Sequence, residues 1–113
     1  MNLEVRMKTM QSSQALKDFI EDALAKRLGA LAREVTRATV WVDDDNGPKG
    51  GEDKVCRVRI RLGKIGSVVV EHRSSDWYEA VADTTAAAGR LVRKAVDRKR
   101  KRRGPVVPLP AAA

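Results

Sequence analysis

The sequence predicts an α+β fold of order β-α-β-β-β-α, in which a four-stranded mixed sheet carries two helices packed on one face. Three observations predict it. Four short stretches alternate apolar and polar residues, as strands with one buried face do. Two longer stretches repeat apolar residues at three- and four-residue spacing, as amphipathic helices do. A four-stranded sheet has one apolar face to offer, so both helices must bury their stripes on the same side.

The first strand lies within Asn2 to Met10, where Leu3, Val5 and Met7 alternate with Glu4, Arg6 and Lys8. Ser12 and Ser13 then offer N-cap hydroxyls. The first helix is expected from about Gln14 to about Glu34, with Leu16, Phe19, Ile20, Ala23, Leu24, Leu28, Leu31 and Val35 on its stripe. Gly29 inside that helix costs about 1 kcal/mol relative to alanine, which points to a close packing contact there. Arg37 to Asp43 alternates again, with Thr39 and Trp41 on the face opposite Ala38, Val40 and Val42.

Asp43 to Asp53 contains Asn46-Gly-Pro-Lys-Gly-Gly51 and reads as a loop. Its acids lack the ligand spacing of a calcium loop. Lys54 to Leu62 alternates most sharply, with Cys56, Val58, Ile60 and Leu62 inward and a ladder of Arg57, Arg59 and Arg61 outward. Gly63-Lys-Ile-Gly66 turns the chain into the last strand, Ser67 to Arg73. The three later strands join by short connections and form an antiparallel meander. The first reaches the second through a helix, which makes those two parallel neighbours with a right-handed crossover.

The second helix, Asp76 to Arg103, organises the chain. Its stripe is Val81, Thr84, Ala88, Leu91, Val92 and Ala95, with Trp77 a turn earlier, and Asp76 with Glu79 resembles a capping box. Beyond the stripe the residues become Arg98-Lys-Arg-Lys-Arg-Arg103. Arg90 to Arg103 holds nine Lys/Arg and one acid, a net of +8, which equals the net charge of the whole chain. The body is therefore electrically balanced and the charge sits in one arm, whose natural partner is a polyanion. The Ala- and Val-rich stripe has a sheet to cover, so a membrane is not that partner.

At 113 residues the chain makes one domain, residues 1–103, followed by a Pro- and Ala-rich tail, 104–113, expected to be disordered. One cysteine and one histidine exclude an intrachain disulfide and disfavour a zinc site. No phosphate-cradling glycine loop, nucleophile elbow or metal-ligand cluster appears. Cys56 reads as a core residue, His72 as a strand residue, and Asp18, Glu21 and Asp22 as surface charges. An enzyme, a metal and a cofactor are not expected. The charged N-terminus is no secretory signal, and a cytoplasmic location follows as the default.

Two segments carry a family resemblance: Ser13-Gln-Ala-Leu-Lys-Asp-Phe-Ile20 opening the first helix and Asp76-Trp-Tyr-Glu-Ala-Val81 opening the second. With the element order, they resemble the ribosome hibernation-promoting factor family, which includes ribosome-associated inhibitor A and is also called the sigma-54 modulation proteins. Asp76, Tyr78, Ala80 and Val81 match its Asp-x-Tyr-x-Ala-Ile motif. Arg90, Arg93 and Lys94 fall where its second helix is basic, and Lys17 and Lys26 match basic positions of its first. The family often has Lys where Ala87 and Val96 stand here, and the Arg98 to Arg103 run shifts that charge towards the helix end. Without the family's second, dimerising domain, the chain looks like a short form.

The resemblance implies a monomer that binds the small ribosomal subunit, competes with transfer and messenger RNA for their channel, and blocks translation in starved or stationary cells. The RNA-binding residues expected are Arg90, Arg93, Lys94, Arg98, Lys99, Arg100, Lys101, Arg102 and Arg103, assisted by Lys17, Lys26 and Arg27. Three alternatives stand beside this. A double-stranded-RNA-binding module shares the fold but places its basic cluster at the start of the last helix, where this chain has Asp76 and Glu79. An adaptor would bind an acidic protein through the Arg57, Arg59 and Arg61 ladder. A nonspecific DNA binder would treat duplex DNA and ribosomes alike.

Overall fold

The computed structural model describes residues 2–7, 14–44 and 54–103. In chain order they form β1 (Leu3–Met7), α1 (Gln14–Leu28), a 3-10 segment (Gly29–Glu34), β2 (Arg37–Asp44), β3 (Lys54–Arg61), β4 (Ser67–Ser74) and α2 (Trp77–Arg103). The strands lie side by side in that order, β1 parallel to β2 and the others antiparallel. The expected capping serines Ser12 and Ser13, the loop 45–53 and the tail 104–113 lie outside the described residues.

Period-two alternation places one apolar set on one face. Val5, Val40, Val58 and Val70 align across the sheet, flanked by the rows Leu3, Ala38, Ile60, Val68 and Met7, Val42, Cys56, His72. Against these rows α1 buries Leu16, Ile20, Leu24 and Leu28, and α2 buries Ala80, Val81, Ala88, Val92 and Val96. Both helices therefore cover the same face. The other face bears Glu4, Arg6, Arg37, Thr39, Trp41, Arg57, Arg59 and Arg61 by register.

Three expectations change. The α-helix stops at Leu28 rather than Glu34, because Gly29 adopts φ +54°, a left-handed conformation that ends a helix. The glycine is there for its backbone; a Cβ at Gly29 would meet nothing within 4 Å, so the close contact expected there is absent. That contact occurs at Gly89, where a Cβ would meet the Arg27 carbonyl oxygen at 3.0 Å. Leu91, expected on the α2 stripe, is 40% exposed, and Val96 is buried in the stripe instead.

The start of α2 is capped differently from a reciprocal box. Asp76 Oδ1 accepts a long hydrogen bond from Tyr78 N at 3.4 Å, while Asp76 N donates to Ser74 Oγ at 3.2 Å. Glu79 accepts from the Ser74 hydroxyl rather than from the Asp76 backbone. Ser74, the last residue of β4, thus ties strand to helix.

Candidate nucleic-acid interface

The basic surface is built by the length of α2. Its 27 residues extend about 40 Å at 1.5 Å per residue. Val96 is the last buried residue of the helix up to Arg100, so the helix carries Arg98, Lys99 and Arg100 beyond the core. Arg90, Arg93, Lys94 and Arg98 are exposed and Lys99 half-buried. None of these five forms an ion pair among the described residues. Arg100 approaches Glu34, with Nη2 3.9 Å from Oε2, a loose exposed pair. The α2 backbone continues in helical form through Lys101, Arg102 and Arg103. From Arg90 to Lys99 the cations of the arm are therefore not neutralised by the described carboxylates of the body.

Of the three assisting residues in α1, the structure brings two to this region. Gly89 lets α1 approach α2 at Arg27, with the Arg27 Cβ 3.1 Å from where a Cβ at Gly89 would stand. Even an alanine there would ask the helices to give by a few tenths of an ångström. The crossing sets Arg27 against Gly89, next to Arg90, with Lys26 its neighbour in the chain. Together with Phe19, Asp22, Ala23, Ala82 and Thr85, they line a cleft of about 370 Å³ between the helices. Lys26 is partly compensated by Asp22 at 3.0 Å. Lys17 is at the other end. The edge-to-face contact of Phe19 with Tyr78, centroids 5.0 Å apart, ties the first turns of the two helices together. Lys17 thus lies near the acidic start of α2, away from the arm.

Two further cations belong with the arm and were not anticipated. Lys64, from the β3–β4 turn, joins Lys94, Arg98 and Lys99 around a groove of about 520 Å³ floored by Ile65, Val68, Val69 and Leu91. Arg33, from the 3-10 segment, lines with Lys64, Lys99 and Arg100 a second hollow of about 320 Å³. Their sequence signal is weak, since each is a single cation in a connection; only the tertiary fold places them beside the helix end. Val96 is under the helix, so a cation at that position would have to turn its head out of the core.

The remaining candidate chemistry is quiet. Cys56 is buried, and desolvation pushes its thiol up to about 12, so it stays protonated. No group of three or more His, Cys, Asp or Glu side chains able to hold a metal occurs among the described residues. No helix there is long and apolar enough to cross a membrane.

Comparison with known proteins agrees with this architecture. The family model described as sigma 54 modulation protein / S30EA ribosomal protein matches residues 3–100, which takes in the fold and the arm as far as Arg100. Comparison with the curated proteins returned no match. Among solved structures, the N-terminal domain of Protein Y from Thermus thermophilus superposes with a TM-score of 0.66 at 20% identity, covering 83% of this chain and 98% of that one. A ribosomal subunit interface protein from Coxiella burnetii superposes with a TM-score of 0.67 at 18% identity, covering 89% and 100%. At such identities the superpositions speak for a shared fold, while the family match spans nearly all the described elements. The chain belongs to the sigma 54 modulation protein / S30EA ribosomal protein family.

Proposed function

We propose that this chain is a ribosome-binding inhibitor of translation that occupies the channel for transfer and messenger RNA on the small ribosomal subunit. The observation that carries the reading is the α2 arm, where Arg90, Arg93, Lys94, Arg98 and Lys99 have no ion pair among the described residues and Arg100 has only a loose one to Glu34, on a body of the S30EA family. Ribosomal RNA is a folded polyanion, and a protein that plugs a groove in it needs phosphate contacts and shape rather than base readout. Arginine forks supply bidentate phosphate grips. The body, residues 1–103 without the arm's charge, fills the channel sterically, and 104–113 adds no contact. The protein acts in the cytoplasm of starved or stationary cells as a monomer, catalyses nothing, and needs no cofactor. Arg90, Arg93, Lys94 and the Arg98–Arg103 run carry the affinity, with Lys26, Arg27, Arg33 and Lys64 around them. Lys17 contributes least, since it stands at the opposite end of the helix pair.

Co-sedimentation with purified small subunits in sucrose gradients tests this. Replacing the six basic residues from Arg98 to Arg103 by glutamine should release the protein from the subunits. If the arm makes about six phosphate contacts, log affinity should fall with log salt at a slope of roughly −4 to −5. Transfer and messenger RNA should displace the unaltered protein. Undiminished co-sedimentation of the glutamine variant, or indifference to both RNAs, would count against the proposal.

A further inference from the structure

The face of the sheet that the helices leave uncovered is a second cationic surface, on the opposite side of the sheet from α1 and α2. By register it carries Arg6 and Arg37 beside Glu4, then Arg57, Arg59 and Arg61 on β3. The charges are not evenly compensated. Glu4 binds both Arg6, at 2.8 Å, and Arg37, at 2.7 Å, and these two hydrogen bonds, Arg6 first, hold its carboxyl below the ordinary value of 4.5. Arg59 and Arg61 are exposed and have no ion pair among the described residues. Glu71 stands opposite Arg57 in the register, yet no ion pair joins them.

An aromatic ring lies among these forks. The Arg6 and Arg57 guanidinium carbons are 5.9 and 5.4 Å from the centre of the Trp41 ring. Such contacts hold a guanidinium in place and reduce the rotamer freedom it must give up on meeting a phosphate. Trp41 sits beside a hollow of about 320 Å³, whose other lining residues include Thr39, Arg59 and Arg61. Alternate residues along β3 stand about 6.6 Å apart from the strand rise, which gives Arg57, Arg59 and Arg61 a regular row across which an extended sugar-phosphate chain can lie.

We infer that this open face binds single-stranded RNA, with Arg57, Arg59 and Arg61 gripping successive phosphates and the Trp41 ring, together with the guanidiniums against it, forming the platform on which a base stacks. Charge selects an anion, and the aromatic ring selects a nucleic acid strand. Bases stack on aromatic rings and on guanidinium planes, and single strands with unstacked bases are the form that does so. Beyond Trp41, the apolar side chains on this face by register are Val69, opposite Arg59, and the half-buried Val55, two separated valines that give an acidic protein little to bury at the centre of an interface. With the arm on the far side, the protein would hold two RNA segments at once.

The test uses the full chain with Trp77 replaced by phenylalanine, so that Trp41 is the sole tryptophan. A short oligouridylate should quench Trp41 fluorescence. The quenching should persist when the arm's six basic residues from Arg98 to Arg103 are glutamine. It should weaken in the Arg59→Gln, Arg61→Gln double variant, whose salt slope should be shallower by about 1.4, from two single-strand phosphates at 0.7 each. Both arginines are exposed, and an unchanged thermal transition would confirm that the double variant folds. Quenching that follows the arm and ignores Arg59 and Arg61 would overturn the inference. So would polyglutamate displacing the oligouridylate at equal charge concentration, which would make the face a protein-binding surface. Small-subunit co-sedimentation of the same variants reads the arm separately, so the two proposals can fail independently.

Discussion

Two residues show how little of a side chain's role lies in its chemistry alone. Gly89 has no side chain, and the helices cross closely at that point. A Cβ there would press on the Arg27 backbone at 3.0 Å, and a branched side chain would reach further. Gly89→Val should destabilise the fold by about 1–3 kcal/mol through overpacking, measured by urea denaturation. Small-subunit affinity should fall with it, because Arg27 moves off the arm. Cys56 is the converse case, a reactive group made inert by burial beside Thr84, whose hydroxyl lies 3.3 Å from the Cys56 carbonyl oxygen. Its thiol is raised from an ordinary 9.0 to about 12 in the folded chain. The folded state therefore keeps a proton that the unfolded state releases. The contribution to stability is whole below pH 9 and is lost as the pH rises towards 12. Denaturation midpoints taken across that range should fall more steeply for the parent protein than for Cys56→Ala, and thiol reagents should label Cys56 only when the chain unfolds.

At the scale of elements, the sequence was most legible where a period could be counted. The strand alternation placed Cys56, Val58 and Ile60 inward and the β3 arginines outward, as the register has them. The spacing of Leu16, Ile20, Leu24 and Leu28 marked the buried side of α1. What a one-dimensional pattern could not carry was the meaning of isolated residues. A glycine within a helical stripe reads the same whether it ends the helix, as Gly29 does, or admits a neighbour, as Gly89 does. Leu91 fits the stripe by spacing, but it falls on the flank towards Val68 and Val69 at the open edge of β4. The grouping of Lys64 and Arg33 with the arm depends on where two connections come to rest, and no local spacing encodes that.

Over the whole molecule, the division between core and arm makes stability and binding separable. Residues 97–100 add almost no buried apolar surface. The glutamine variant of Arg98–Arg103 should therefore melt within a few degrees of the parent, since each of the six changes contributes about 0.5 kcal/mol or less, of either sign. Calorimetry of the free protein would show it. A drop of many degrees would mean that the arm is part of the folded unit rather than an appendage to it.

The start of α2 carries Asp76 and Glu79, and its far end carries the cations. The two ends of the same rod are thus oppositely charged, about 40 Å apart by helix rise. In the field of a polyanion such an object experiences a torque as well as an attraction. It turns while still diffusing and arrives with its cationic tip leading. Orientation is settled before the first contact, so fewer encounters are wasted on the wrong end, and added salt should slow arrival more than it hastens departure.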